Sequence, residues 1–90
     1  MSVKGYRLSK HATMSLSQRE IDEKWVRMCL EDPQRIEKDK ADSAVKHYLK
    51  EIPSSDNRVL KVVAKPDETD SGAEFLVITA FFERKLKGKL

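Results

Sequence analysis

The strongest constraint on the fold is the stretch from His11 to Pro33, which combines a helix start, an amphipathic helix and a helix stop. Residues 17–20 read Ser-Gln-Arg-Glu, a capping box in which the serine hydroxyl and the glutamate carboxylate each accept a hydrogen bond from the other's backbone amide. Because a residue that precedes proline avoids the α region, the Asp32-Pro33 pair predicts the helix end. The sequence therefore predicts a helix over residues 17–32.

This helix is predicted to bury one apolar face. Apolar residues recur along it at intervals of three and four, which is typical of a helix packed on a core: Ile21, Trp25, Met28 and Cys29, with Val26 and Leu30 beside them. Leu16, just before the capping box, has the spacing of a hydrophobic staple with Ile21. Removing Trp25 from a buried position would cost roughly 3–5 kcal/mol.

The rest of the chain is predicted to form mostly strands. Residues 6–9 are a candidate first strand, after which Ser9 can cap a short helix over residues 11–16. Residues 34–38 are polar and predict a strand at a sheet edge. Apolar and polar residues alternate after that point, which predicts one buried face of Val45, His47 and Leu49 and one solvated face of Lys46, Tyr48 and Lys50.

Two further strands complete the predicted sheet. Residues 58–64 have apolar side chains on both faces, and residues 75–82 are nearly all apolar, which favours a central strand. We expect the helix at residues 17–32 to contact Val59, Val63 and the strand at residues 75–82.

These elements predict one α+β domain over residues 1–90, with a basic tail from about residue 83. Their order is β-α-α-β-β-β-β. The simplest arrangement packs the two N-terminal helices on one face of a twisted antiparallel sheet of four to five strands.

The positions of the charged residues say more about a binding partner than the net charge of +3 does. Residues 1–10 and 81–90 each carry +3, while residues 11–80 carry −3. If the first and last elements are neighbours, their cations merge into one patch that attracts polyanions; the patch would contain Lys4, Arg7, Lys10, Arg84 and Lys85. The alternative is that the basic ends only keep the protein in solution.

Two further features have both a functional and an ordinary interpretation. Tyr48, flanked by Lys46 and Lys50, has the pattern of a surface that stacks a base and binds phosphates, or of a plain solvated strand. His11 lies where a basic strand gives way to a helix, where its imidazole could transfer protons or form a local hydrogen bond.

Other classes of site find no support in the sequence. With three glycines, a glycine-rich phosphate loop is not expected, and the spacing of the two histidines and one cysteine matches no zinc pattern. We therefore expect no cofactor and no metal, and Cys29 is interpreted as a core residue. A single cysteine, no apolar run long enough to cross a membrane and no apolar start favour a cytoplasmic protein.

Most of the chain, from about Tyr6 to Phe82, resembles a small bacterial family of unknown function. The resemblance rests on the run Ser9-Lys10-His11-Ala12, then Leu16, Arg19 and Ile21, then Val26, Leu30 and Pro33. Members of that family open with a strand and the pattern H-A-x-x-R-M-x-x-R-G-I, and they finish on a V-V-T-like strand. This chain has Val77-Ile78-Thr79 in that last place.

The chain departs from this pattern at three positions. Ser15 stands in place of the first arginine, Leu16 of the methionine and Glu20 of the glycine. The loss of the arginine removes a cation beside His11, whereas Glu20 is expected to serve the helix cap. The family is distantly similar to the RelE/ParE and BrnT toxins, which implies a helical pair on an antiparallel sheet and either a ribonuclease or a degenerate relative of one.

Three functions remain open from the sequence. One is a toxin-like, metal-independent endoribonuclease in which His11 acts as acid or base and Arg19 stabilises developing charge. The second is a binding module for nucleic acid or a partner protein, acting through an edge strand at residues 34–38 or through self-association. The third is an accessory protein of another kind. The expected partners are RNA or an antitoxin-like protein, and the oligomeric state is left open.

Overall fold

The computed structural model describes residues 5–69 and 72–90 of the chain. The elements follow in the predicted order: β1 (Tyr6–Leu8), α1 (Lys10–Gln18), α2 (Glu23–Glu31), β2 (Arg35–Lys38), β3 (Lys46–Ile52), β4 (Arg58–Pro66) and β5 (Phe75–Phe82). Short 3-10 turns follow β3 and β5, at Pro53–Ser55 and Arg84–Leu86. The α+β class, the element order and a sheet of five strands are thus confirmed. Neither helix has the length and apolar character that crossing a membrane requires, as far as the described residues go.

The sheet has the strand order β1-β5-β4-β3-β2. Strands β2 to β5 pair antiparallel as predicted. The first strand differs, because β1 lies parallel to β5, with Tyr6 beside Phe75 and Leu8 beside Val77. The sheet is therefore mixed rather than wholly antiparallel. Strands β3, β4 and β5 each pair with the strand that precedes them in the chain, whereas β1 has three residues and pairs with a strand that is distant in the sequence, so its direction has no local signal.

The junction of the helices differs from the predicted capping box. Helix α1 continues through residues 10–18, capped at its start by the hydroxyl of Ser9 as expected, and Arg19 is its C-cap. Glu20 then has a φ of 54°. Its amide donates to the Ser17 carbonyl, and the amide of Ile21 donates to the Leu16 carbonyl at 2.9 Å. This pair of bonds is a Schellman motif, so the predicted staple of Leu16 and Ile21 is the apolar contact of a helix end.

The start of α2 is set by a different residue from the one predicted. The carboxylate of Asp22 caps α2 by accepting a hydrogen bond from the amide of Lys24 at 2.8 Å. The prediction of one helix over residues 17–32 is therefore wrong at its start by one and a half turns. Ser17 and Glu20 have the spacing of a capping box, but the Asp22 cap and the left-handed Glu20 divide the stretch in two.

The core lies between the two helices and one face of the sheet. Its buried residues are Ala12, Leu16, Ile21, Val26, Cys29, Leu30, Tyr48, Ile52, Leu60, Val62, Ala64, Val77 and Ala80. Trp25 is half-buried at the margin of this cluster, and Met28 is 36% exposed, so the predicted apolar face of α2 is rotated toward Val26 and Leu30.

The helices cover the face of β4 opposite to the predicted one. They pack on Leu60, Val62 and Ala64 rather than on Val59 and Val63. The sequence could not distinguish the faces, because both rows of β4 are apolar. Val59 is nonetheless fully buried, on the side of the sheet that the helices leave uncovered.

Candidate functional site

The predicted merging of the two basic ends does not occur. The parallel pairing sets Tyr6 beside Phe75, whereas the C-terminal residues leave the other end of β5, after Phe82. At about 3.3 Å per residue, the length of β5 separates the two ends by roughly 23 Å. Lys4 lies outside the described residues.

The remaining cations near β1 do not form a free patch. The Arg7 guanidinium binds the Asp67 carboxylate through two hydrogen bonds, of 2.8 Å from Nε and 3.3 Å from Nη2. This hydrogen bond is the main cause of a raised pKa for Arg7. Lys10 is exposed at the first position of α1. The basic character of the N-terminal end is thus partly neutralised by the loop that follows β4.

The predicted stacking surface around Tyr48 is not present, and this prediction is corrected. Tyr48 is 8% exposed and belongs to the core, where its ring meets the edge of Phe75 at a centroid distance of 5.6 Å. Lys50 contacts Asp32 at 3.3 Å, and Lys46 is exposed. The alternation of β3 was recognised correctly, but the face that carries the tyrosine is the one that the helices cover, because its ring and Ile52 bury more apolar area there.

The proposed catalytic pair, His11 and Arg19, is divided by the length of α1. His11 is exposed in the first turn of the helix, and Arg19 is its C-cap. At 1.5 Å rise per residue they stand about 12 Å apart along the axis. Between them, Ser15 is 2% exposed and its hydroxyl lies 3.3 Å from that of Thr79.

Arg19 instead meets two arginines from the other end of the chain. Arg19, Arg58 and Arg84 surround a concavity of about 300 Å³ together with Phe81 and Phe82. We call these five residues the arginine pocket. It lies where α1 ends, β4 begins and β5 ends, so three segments that are distant in the sequence each supply one guanidinium. Of the cations predicted to bind nucleic acid or act in catalysis, the structure brings Arg19 and Arg84 together.

Arg19 is positioned by the end of its helix. As C-cap it follows the last turn of α1, which packs along β5. Its Nη1 donates to the carbonyl of Ala80 at 3.2 Å. One edge of the guanidinium is thereby fixed on the sheet, while the side chain as a whole is exposed.

The guanidinium of Arg58 lies over an aromatic ring. Its Cζ lies 3.8 Å from the centroid of Phe82, whose ring meets Trp25 edge-on at 6.1 Å. Its Nε donates to the carbonyl and to the hydroxyl of Ser55, at 3.2 and 3.1 Å. Stacking and hydrogen bonding together fix the plane of this guanidinium before any ligand arrives.

Arg84 opens the 3-10 turn after β5, and its side chain is exposed. A second concavity of about 290 Å³ adjoins the first, and it is lined by Arg58, Val59, Phe82, Glu83, Arg84 and Lys87. Arg84 and Arg58 therefore separate two hollows of similar size. Lys85, the other predicted cation of the tail, is exposed on the same turn.

Two carboxylates in the surroundings of the pocket are paired with lysines. Glu83 contacts Lys61 at 3.6 Å, and Asp56 contacts Lys87 at 3.0 Å. The hydrogen bond from Lys87, then its charge and that of Arg58, lowers the pKa of Asp56. Among the described residues, no ion pair includes Arg19, Arg58 or Arg84. The charge of Asp56 acts on Arg58 from a longer distance, so the pocket arginines have a carboxylate in their surroundings but no ion-paired one.

The other titratable groups with shifted pKa values lie away from this pocket. Burial raises the pKa of the Cys29 thiol to about 12, so this cysteine is a core residue and no nucleophile, as the sequence predicted. His47 is half-buried beside Asp39, at 2.9 Å. No group of three or more His, Cys, Asp and Glu side chains within residues 5–69 and 72–90 is arranged to hold a metal ion.

Sequence reasoning missed the role of Arg58. Nothing in the local sequence gives a reason to place this side chain beside Arg19 and Arg84. The available signal was Phe82 at the end of a central strand, since a half-buried aromatic ring offers a face on which a guanidinium can stack. The partner strand and its register, Arg58 opposite Ile52 and Leu60 opposite Phe82, were needed to identify that group.

Comparison with protein families assigns the chain to one family. The model of the domain of unknown function DUF4258 matches residues 8–82, so the chain belongs to this family. The match runs from the last residue of β1 to the last residue of β5 and includes two of the pocket arginines, Arg19 and Arg58. Searches of the curated proteins and of the solved structures found no match.

Proposed function

We propose that this member of the DUF4258 family is a nucleic-acid-binding module, which holds the phosphates of a single strand in the arginine pocket. The observation that carries the proposal is the convergence of Arg19, Arg58 and Arg84 on one concavity with no carboxylate at ion-pair distance among the described residues. Guanidinium groups match the geometry of phosphate oxygens and bind them through paired hydrogen bonds.

A single strand fits this surface better than a duplex. The guanidinium plane of Arg58, backed by Phe82, is a platform on which an unpaired base can stack. Phe81 is half-buried beside it, and its ring lies 5.8 Å from Nζ of Lys61. A flat stacking platform surrounded by cations is the arrangement that single-strand binders use, and it tolerates different base sequences.

The direct test is the affinity for a labelled single-stranded RNA of about 12 nucleotides, measured by fluorescence anisotropy over a range of salt concentrations. The double variant Arg19→Gln/Arg84→Gln should bind at least about tenfold more weakly. On single strands, each neutralised phosphate contributes about −0.7 to the slope of log affinity against log salt concentration. Since the variant lacks two phosphate-binding arginines, its slope should be less steep than that of the wild type by about 1.4. The affinity for a single-stranded DNA of the same sequence shows whether the ribose 2′-hydroxyl contributes to binding.

The matched control is Lys24→Gln/Lys40→Gln, which removes the same charge from exposed positions away from the pocket. It should reduce affinity by much less than the arginine variant does. If both double variants weaken binding equally, net charge alone explains the affinity and the pocket is not the site. If the wild-type protein binds neither strand at low salt, the proposal is contradicted outright.

The toxin-like endoribonuclease remains the alternative, and it makes a different prediction. Its proton-transferring residue would be His11, yet that side chain stands about 12 Å from Arg19 along α1. We therefore expect RNA to be recovered intact after incubation, and His11→Ala to bind RNA as the wild type does. Cleavage that is lost in His11→Ala would favour the enzymatic alternative over the binding module.

A further inference from the structure

The sheet ends in an edge strand that is exposed along its whole length. All four residues of β2 are exposed, and Ile36 is 53% exposed, more than either of the two exposed methionines. In the described structure β2 pairs only with β3, so half of its backbone N–H and C=O groups point outward without a partner strand. Such an edge is able to pair with another strand.

The sequence of β2 is complementary to itself in one antiparallel register. If a two-fold axis passes between Ile36 and the same residue of a second copy, the two isoleucines face each other. Arg35 of each copy then lies opposite Glu37 of the other, on the opposite face of the sheet. Lys38 lies opposite the neutral Gln34. Opposite charges and paired apolar residues across strands each stabilise a sheet.

The neighbouring registers that keep a two-fold axis are unfavourable. A shift of the pairing by a single residue would turn the side chains of one copy to the other face of the sheet, so the axis has to pass through a residue of β2. An axis at Arg35 or at Glu37 sets that residue opposite the same residue of the second copy, and like charges directly across a strand pair are destabilising. The charges of β2 therefore select a single register, which is expected of a specific contact rather than of non-specific association through an exposed strand.

Among the described residues, helix α2 leaves room for this pairing on its face of the sheet. Helix α2 lies over β3 and β4. With strands about 4.8 Å apart, the two copies of α2 would stand about 19 Å from each other, on the same face of a continuous sheet. That gap exceeds the width of a helix, about 10 Å, and leaves room for the two Ile36 side chains.

We infer that two copies of this chain associate through their β2 strands and form a continuous ten-stranded sheet with Ile36 at the two-fold axis. The contact is independent of the arginine pocket, which lies at β4 and β5, two strands further into the sheet. Because a short edge pairing buries less area than a standard interface, the dimer should be a weak one that forms at concentrations on the order of 100 μM.

Sedimentation equilibrium with charge-reversal variants tests the pairing. Arg35→Glu and Glu37→Arg each create two like-charged pairs across the axis, so each should weaken the dimer at least about tenfold. The double variant Arg35→Glu/Glu37→Arg restores both pairs and should recover the dimer. Since both side chains are exposed, these changes leave the fold intact. A wild-type protein that stays monomeric up to about 1 mM, or a double variant no better than the single ones, overturns the inference.

A cysteine at the axis tests the register. Residues opposite each other in an antiparallel pair have Cα atoms about 4.5–5.5 Å apart, a distance that a disulfide can span. Ile36→Cys should therefore give a covalent dimer under mild oxidation, while the native Cys29 is buried and should not react. The control is Met14→Cys, an equally exposed position on α1, at 51%. Equal cross-linking of both variants would contradict the proposed axis.

Discussion

At the scale of the residue, Glu20 shows how one position defines the helical pair. Its φ of 54° is a left-handed conformation that glycine adopts freely and other residues adopt at a cost. The sequence analysis assigned Glu20 to a helix start, where its carboxylate would have a role. Instead it lies at the first position after the C-cap of α1, where glycine is the commonest residue.

Glu20→Gly should therefore stabilise the protein. Relief of the left-handed strain outweighs the greater freedom of glycine in the unfolded chain, so the free energy of unfolding should rise by roughly 0.5–1 kcal/mol. Urea denaturation measures this change. Glu20→Ala, which removes the same charge but keeps a Cβ, should give no such gain. A glycine variant less stable than the alanine one would show that the strain is not present.

A second residue, Asp39, links stability to pH. Its pKa is lowered first by the hydrogen bond with His47 and then by the amides of Ala41 and Asp42. The pKa of Asp39 in the folded state lies below the value of about 3.9 in the unfolded state. The ionised carboxylate therefore stabilises the folded state, and this contribution is complete at pH values above about 3.9. It is lost as the pH falls through the folded-state value.

Asp39→Asn keeps the shape of the side chain but removes its charge, so it isolates this effect. The wild type should be the more stable protein at pH 7, and the difference in free energy of unfolding should shrink as the pH falls below about 4. Asp42→Asn, in the same turn, is the control, because its carboxylate accepts from Ala44 rather than from His47. A difference between wild type and Asp39→Asn that is constant down to pH 2 would contradict the assigned cause.

At the scale of the element, α2 shows which face of an amphipathic helix the core selects. The sequence contained two adjoining apolar stripes, and the structure buries the one with Val26 and Leu30 while leaving Met28 at the surface. The helix start differs as well. Because Asp22 caps α2 and the chain turns at Glu20, the helix is shorter than one over residues 17–32 would be.

Alanine substitutions along α2 measure this orientation. Leu30→Ala, at a position 5% exposed, should lower the free energy of unfolding by about 2–4 kcal/mol. Met28→Ala, two residues earlier, should cost less than about 1 kcal/mol, because little apolar surface is lost from the core. Trp25→Ala should fall between them rather than reach the 3–5 kcal/mol of a fully buried residue. A larger loss for Met28→Ala than for Leu30→Ala would contradict the described face.

At the scale of the whole molecule, the elements could be predicted and their assembly only in part. The strand Phe75–Phe82 has the predicted bounds, because a run of apolar β-branched and aromatic residues between polar segments is a strong local signal. The direction of β1 and the covered face of β4 depend on contacts between distant segments. Such contacts leave no local pattern when a strand is short or apolar on both sides.

The arginine pocket is a property of this assembly. Arg19, Arg58 and Arg84 are each ordinary in their local sequence, and they become one site because α1 runs along β5 toward the end where β4 begins. Arg84 was predicted as part of a basic surface and Arg19 as a catalytic residue, and the structure places the two side chains on one pocket. The predicted basic surface was wrong in joining the C-terminal cations to the N-terminal ones, from which β5 separates them.

The most direct test of the proposed site is to map where a single strand binds. We would titrate the ¹⁵N-labelled protein with the single-stranded RNA and follow the amide and arginine Nε signals by NMR. If the strand binds in the arginine pocket, the largest chemical-shift changes should cluster at Arg19, Arg58 and residues 81–84. The indole signal of Trp25 should also shift, because its ring contacts Phe82. Shifts centred on Arg7 and Lys10, or spread evenly over all exposed cations, would contradict binding in this pocket.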